Sequence, residues 1–337
     1  MKKENLMDCI TILKHGETEN LIIKKAPIPI IDDNEVLIEV YASGVNRPDV
    51  LQRKGLYEPP KGASHTLGLE VSGKIIKIGK KVKALKVNQK VCALTHGGGY
   101  AEYCKVYYKH VLPLPKGMSY IEAAAIPENF FTVWYNIFNR GQIKYSETIL
   151  IHGGSSGIGT TAIQLCKLHG CKVITTVGSR RKQTYCNKIG ADLAINYKRH
   201  NFVEVIKKYT KNMGVDIILD MVGQEYFTKN ISLLKDKGKL IMIAFLSGSV
   251  TKADLTPVMT KRLTLTGSTL RPRTNEEKAF IAKNLYKRYW TALSKKTIKP
   301  IIYKIFNLKD ADKAHKLMES SKHLGKILLK IKKEEKK

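Results

Sequence analysis

The chain has 337 residues, 43% of them apolar, and a formal net charge of +30 at pH 7. That length is long for a single core, so two domains are expected, and no apolar run approaches the roughly 20 residues that a membrane-spanning helix needs. The charge permits weak, salt-dependent adhesion to nucleic acid, but lysines scattered along the whole chain, with short clusters at Lys80-Lys81 and Lys330–Lys337, fit solvated faces better than a specific nucleic-acid site.

The start, Met1-Lys2-Lys3-Glu4-Asn5, is basic with no apolar segment behind it, which predicts a cytoplasmic protein with no membrane attachment. Six cysteines (Cys9, Cys92, Cys104, Cys166, Cys171, Cys186) contain no C-x-x-C pair, so they read as reduced thiols rather than a disulfide framework or a zinc knuckle.

From the start to about Glu122 the apolar period is two. Val36–Tyr41, Val71–Gly79, Lys90–Leu94 and Tyr100–Val106 read as strands, punctuated by Gly79, Asn88 and Gly97-Gly98-Gly99. This predicts a mostly β domain. Ser119 can cap a helix over Ile121–Ile126 that stops at Pro127, and a second helix is expected over Phe130–Asn139. Strands then alternate with helices. Strands are expected at Thr148–Ile151, Lys172–Val177, Ala191–Asn196, Val215–Val222, Lys239–Phe245 and Leu263–Gly267. Helices are expected at Ser179–Ile189, Phe202–Lys211 and Glu225–Leu234. That alternation implies an α/β domain with a doubly wound parallel sheet. A long helix over Glu276–Leu293 leaves it. Strand Pro300–Phe306, helix Asp310–Ser320 and strand Lys326–Lys330 return to the first style. The expected domains are therefore 1–122 with 297–337, and 123–296.

The stretch Thr148–Leu165 organises the second domain. Its apolar strand runs into Gly153-Gly154-Ser155-Ser156-Gly157-Ile158-Gly159 and then into a helix. Glycine lets the backbone turn with positive φ and lets a phosphate approach, and the helix start offers unpaired N–H groups and partial positive charge. Gly153, Gly154, Ser155, Ser156, Gly157, Ile158 and Gly159 thus form a pyrophosphate seat. An NAD site wants an acid near the end of the second strand for the ribose 2′-hydroxyl. Lys172 to Gly190 contains no Asp or Glu, and Gly178-Ser179-Arg180-Arg181-Lys182 follows the strand instead. Hydroxyl and cations suit a 2′-phosphate, so the expected cofactor is NADPH.

Taken together, the chain resembles the medium-chain dehydrogenase/reductase superfamily, and within it the quinone oxidoreductases, most nearly the p53-inducible quinone oxidoreductase subgroup. The resemblance rests on Gly44–Asp49, Gln52–Pro60, Leu67–Gly73, the glycine turn, Asn196-Tyr197, Gly267–Arg271 and Gly325–Leu329, in the right order over nearly the whole chain. It implies a Rossmann domain beside a GroES-like catalytic domain, with a quinone held in the cleft between them. It also implies that Asn46, Tyr57 and Thr132 lie near the nicotinamide, with Tyr57 and Asn46 closest to the chemistry. Gly178, Ser179, Lys182 and Tyr197 would surround the 2′-phosphate, and Phe245 and Arg271 would close over the nicotinamide side. Zinc-dependent members carry Cys where this chain has Asn46 and His where it has Leu69, so the resemblance implies a metal-free reductase.

A short-chain dehydrogenase is excluded, because its Tyr-x-x-x-Lys would have to be Tyr57 and Lys61, upstream of the turn and broken by Pro59-Pro60. An enone or enoyl reductase of the same superfamily and a non-catalytic NADPH- and RNA-binding protein stay as alternatives. Lys261–Gly267 alternates and ends the parallel sheet, so pairing of this edge with its symmetry mate predicts a homodimer that buries Leu263 and Leu265.

Overall fold

The computed structural model describes residues 6–334. The first five residues of the basic start and the last three of the Lys330–Lys337 tail lie outside the described residues. By its internal contacts the chain divides into two units, one running to Phe131 and resuming at Arg271, the other spanning Thr132–Leu270.

The first unit begins with an antiparallel ribbon, β1 (Leu6–Ile12) on β2 (Leu21–Pro27). Neither strand stood out in the sequence. Strand β3 (Glu35–Val45) follows and runs into helix α1 (Arg47–Arg53). Then come β4 (Glu70–Ile78), β5 (Lys90–Leu94), β6 (Tyr103–Tyr107) and β7 (Val111–Pro113). Gly73 in β4 has no room for a side chain, because a Cβ there would meet the Glu39 carbonyl of β3. Val36, Ile38 and Val40 of β3 share one core with Val71, Ile75, Val91, Ala93 and Val106, the period-two face that the sequence displays.

Helix α2 (Tyr120–Ala123) is only four residues, held by a Ser119/Glu122 capping box. Pro127 was expected to end that helix, yet it opens α3 (Pro127–Val133). Proline suits the first helical position, where its fixed φ helps and its missing N–H is not needed. The α-helix expected through Asn139 instead becomes π-helical over Trp134–Arg140. Asn136 accounts for the change: its Nδ2 donates to Thr132 O at 2.9 Å and its Oδ1 accepts from Ser268 Oγ at 2.8 Å. A side chain working inside the ladder favours the wider turn.

The second unit is a six-stranded parallel sheet. Strands β8 (Thr148–His152), β9 (Lys172–Val177) and β10 (Leu193–Asn196) alternate with α4 (Gly157–Leu168) and α5 (Arg180–Lys188). Then follow α6 (Phe202–Tyr209), β11 (Val215–Asp220), α7 (Phe227–Leu233), β12 (Leu234–Met242), α8 (Thr256–Thr260) and β13 (Thr264–Gly267). The strand order is β10-β9-β8-β11-β12-β13, so the winding reverses between β8 and β11. This is the doubly wound α/β sheet expected from the alternation.

The chain then returns to the first unit through α9 (Asn275–Ser294), β14 (Ile302–Asn307), α10 (Ala311–Glu319) and β15 (Lys326–Lys330). Strand β15 pairs with β3, and the sheet order is β14-β15-β3-β4-β5-β7 with β6 also on β3. The units divide at Thr132 and Arg271 rather than at 123 and 297 because α9 packs with the first unit. Its Trp290 Nε1 donates to Pro113 O at 2.8 Å, and Asn275 O lies 3.1 Å from His110 Nε2.

Three fully buried histidines are held neutral by burial. His152 is pushed down to about 4, between Thr176 Oγ1 at 2.9 Å and Asn230 Oδ1 at 2.7 Å. His110 and His315 are pushed down to about 3. In the unfolded chain these rings take up protons at pH about 6.5. The unfolded state therefore binds more protons at any lower pH, and stability is lost as pH falls from that point toward the folded values. Through these rings the urea midpoint should begin to drop below pH about 6.5. A midpoint that stays level down to pH about 5 would contradict this account.

Candidate active site

In the second unit the expected cofactor residues collect where the carboxyl ends of β8, β9, β10 and β12 meet their loops. Gly153 turns the chain out of β8 with φ +68°. A Cβ on Gly159 would strike the Gly153 carbonyl, and one on Gly154 would strike Thr175 Oγ1 of β9. These glycines let α4 sit tightly against the sheet, and so bring its N-terminus to the strand ends. Ser156 caps α4, its Oγ accepting from Gly159 N at 2.9 Å. Among the described residues no backbone acceptor serves the N–H groups of Gly157 and Ile158. Ser155 precedes them, buried in the same turn. A phosphate fits donors of this kind.

At the end of β9, Ser179 caps α5 and accepts from Lys182 N at 3.3 Å. Burial, and then the like charges of Lys198 and Arg181, hold the Lys182 ammonium below its usual range. Tyr197 follows β10 and is 43% exposed, with its hydroxyl 2.9 Å from where a Cβ on Gly178 would stand. Gly178, Ser179, Lys182 and Tyr197 thus meet at one corner, and its mutually repelling cations would be relieved by an anion. Phe245 follows β12 and is 50% exposed, and Thr132 lies on α3, its carbonyl occupied by Asn136.

In the first unit Asn46, Tyr57 and Arg271 converge on α1. Asn46 caps that helix while Asp49 Oδ2 accepts Asn46 N at 2.8 Å. Both ends of the Asn46 amide are engaged: Nδ2 donates to Glu70 Oε1 at 2.9 Å, and Oδ1 accepts from Lys326 Nζ at 2.6 Å. Lys326 and Glu70 are buried and form an ion pair. Gly44 makes room for it, since a Cβ there would overlap the Glu70 carboxylate. Asp49 also accepts Gly68 N at 3.0 Å, and burial pushes its carboxyl up to about 6.

Arg271 is buried. Its Nη1 donates to Gln52 Oε1 at 2.8 Å, and its Nε and Nη2 donate to His96 O at 3.1 and 2.8 Å. The guanidinium lies 5.7 Å from the centre of the Tyr57 ring. Lys278 of α9, also buried, donates to Arg271 O at 2.6 Å and lies 3.1 Å from His96 Nε2. Burial lowers His96 to about 4 and Lys278 to about 8. Burial, then Glu128, raises the Tyr57 phenol. Sequence reasoning passed over His96, Glu128 and Lys278, because no short motif marks them, and gave no role to Gln52 although it sits inside a quoted motif. Glu70 and Lys326 sat inside quoted motifs, but 256 residues of separation hid their pairing.

Two family models match the chain, the alcohol dehydrogenase GroES-like domain over residues 32–116 and the zinc-binding dehydrogenase over residues 157–284. The quinone oxidoreductase of mouse (Mus musculus) is 30% identical over 333 residues, which cover 97% of this chain and 98% of that protein. The chain belongs to the medium-chain dehydrogenase/reductase superfamily, in its quinone-oxidoreductase-like branch. Among solved structures, the Escherichia coli quinone oxidoreductase complexed with NADPH superposes with a TM-score of 0.84 at 29% identity, covering 97% of this chain and 99% of that one. The CurF ER cyclopropanase of curacin A biosynthesis superposes with a TM-score of 0.86 at 26% identity, covering 97% and 99%. This member of the superfamily is thus an oxidoreductase with the superfamily's α/β and GroES-like parts, of a group that uses NAD(P). At the two metal-ligand positions of the zinc-dependent members it has Asn46, tied to the Lys326 ammonium, and buried Leu69.

The Lys326–Glu70 pair gives a stability prediction for this oxidoreductase. Lys326→Ala strands a buried carboxylate and should cost about 3–5 kcal/mol in urea unfolding. Lys326→Met with Glu70→Gln removes both charges and should recover a good part of that loss. A double variant no more stable than Lys326→Ala would show that the pair's charges are not what the site depends on.

Proposed function

We propose that the protein is an NADPH-dependent quinone reductase that works without a metal. The observation that carries the cofactor choice is the corner at the end of β9, where Ser179, Lys182 and Tyr197 gather in a stretch with no acid from Lys172 to Gly190. An NAD-type carboxylate is missing there, and a 2′-phosphate would find a hydroxyl and cations. NADPH, when bound, supplies a hydride. The chain's own work is to seat the diphosphate at Gly153–Gly159, to hold Asn46, Tyr57, Thr132, Phe245 and Arg271 about the nicotinamide end, and to keep water out. Full-length similarity to the mouse quinone oxidoreductase supports a quinone as acceptor. An enone is the second reading: its reduction also leaves charge on a carbonyl oxygen, and the similarity to the curacin cyclopropanase extends to an enzyme not named for quinones.

Stopped-flow oxidation of NADPH with ortho-quinones, para-quinones and enones tests this directly. kcat/KM should favour NADPH over NADH, and Lys182→Ala should cut that preference roughly tenfold, about 1.4 kcal/mol. Dialysis against a chelator should leave the rate unchanged. Equal use of both cofactors by the parent protein would defeat the NADPH reading.

We further propose a homodimer through β13. That strand is the outer one of its sheet, and Leu263 and Leu265 are only half-buried against their own core. Lys261 Nζ is turned back to Leu234 O at 2.9 Å and Arg262 pairs with Asp236, which leaves the strand's middle without a guarding charge. Light scattering should give about twice the 37.9 kDa chain mass, and Leu265→Glu should lower it. A parent protein that scatters as a single chain would rule out this edge as a dimer seam.

A further inference from the structure

Away from the candidate active site, the first unit holds a cavity of about 560 Å³, within the size range of small-molecule sites. One wall is a face of α9, where Glu276, Ala279, Phe280, Lys283 and Tyr286 recur every three or four residues. The facing wall is the short turn Tyr108–His110 with β7. Leu85, Leu112 and Ala282, all buried, form the apolar floor. The two walls are tied at both ends. At the start of α9, His110 Nε2 lies 3.1 Å from Asn275 O, and Lys109 Nζ donates to both Glu276 carboxylate oxygens at 3.2 Å. At its far end Trp290 Nε1 donates to Pro113 O at 2.8 Å. Between Asn275 and Trp290 the helix rises roughly 22 Å. Along that length Ala279 and Ala282 offer only methyl groups to the gap, so the hollow is held open before any ligand arrives.

The lining is aromatic and carries one unbalanced charge. Tyr108, Phe280 and Tyr286 bring rings to it, the last two 53% and 51% exposed. Exposed rings gathered about one hollow mark a binding surface. Lys109 is balanced by Glu276, which also accepts Tyr107 Oη at 3.1 Å. Lys283 is exposed, and among the described residues no carboxylate pairs with it. A lone ammonium on a flexible stem suits a single negative charge, whereas a phosphate calls for several converging donors.

We propose that this cavity is a second ligand site that takes a small aromatic carboxylate, with the rings packing on its body and Lys283 meeting its charge. A second copy of the chain is a worse occupant, because α9 exposes Lys287 and Arg288 beside Lys283 and would meet its mate with like charge. None of the lining residues is among those assigned to the cofactor or the acceptor, so the site is open to test without turnover.

Naphthoate is the probe, titrated calorimetrically into the parent protein, with naphthamide as its uncharged counterpart and octanoate as an aliphatic acid. Naphthoate should bind saturably with a Kd of roughly 1 mM or tighter, and more tightly than either control. Lys283→Met should weaken it roughly fivefold, and Lys283→Arg should keep it. Ala279→Leu, which fills the hollow from a half-buried helix position, should abolish binding and leave the urea midpoint in place. The chain has two tryptophans, so fluorotryptophan labelling gives two fluorine NMR signals. That of Trp290, whose ring lies 5.8 Å from the Tyr286 ring, should shift on binding, and that of Trp134 in the second unit should not. No saturable binding by about 10 mM, a shift at Trp134 alone, or an affinity unchanged by both Lys283→Met and Ala279→Leu would overturn the proposal. So would naphthamide or octanoate binding as tightly as naphthoate. Light scattering in which Tyr286→Glu lowers the mass and Leu265→Glu does not would give this face to a second copy, and overturn the proposal as well.

Discussion

The first unit depends on one buried ion pair. Lys326, near the end of the chain, reaches Glu70 on β4 and the Asn46 amide at the start of α1. Burying two charges is costly unless every remaining donor and acceptor is met. Here both carboxylate oxygens are met, one by Lys326 and the Asn46 amide and the other by the Glu128 N–H, and the ammonium also donates to Asn46 Oδ1. The pair therefore ties four elements, β15, β4, α1 and α3, into one orientation. The absence of a side chain at Gly44, beside Glu70, is the steric condition for it.

That network also sets the character of the residues around it. Because Glu70 consumes the lysine, Glu128 is left without a counter-ion in contact, and Asp49 relies on backbone N–H groups. On the other side of α1, Gln52 anchors Arg271, whose carbonyl anchors Lys278. Two buried cations are thus held by neutral acceptors, with the Tyr57 ring beside the guanidinium.

The second unit reaches its purpose by other means. Its cradle is made of backbone: a turn at Gly153, a helix start at Gly157, and the strand ends at the point where the sheet order reverses. The glycines serve close packing as much as ligand access, since Gly154 and Gly159 face protein atoms of β9 and of the turn itself. Side chains gather at the corner formed by Ser179, Lys182 and Tyr197.

Local sequence determined much of this. The period-two runs, the strand–helix alternation and the glycine turn were legible because each is set by neighbours a few residues away. So was the acid-free stretch after β9. The sequence alone gave no hint of the β1–β2 ribbon, misread Pro127 as an end rather than a start, and showed an ordinary helix where Asn136 makes a π-helix. It assigned α9 to the parallel domain, because helical periodicity does not say which sheet a helix will cover. Tertiary structure decided which polar residues would be satisfied by each other. Asn46 reads as a site residue by motif, but its amide is spent on Glu70 and Lys326, and Glu128 carries no motif at all. Periodicity reports burial along one element; the charge state of a carboxyl depends on what the other elements bring to it, and only the fold brings Lys326 across 256 residues to Glu70 and leaves Glu128 without it.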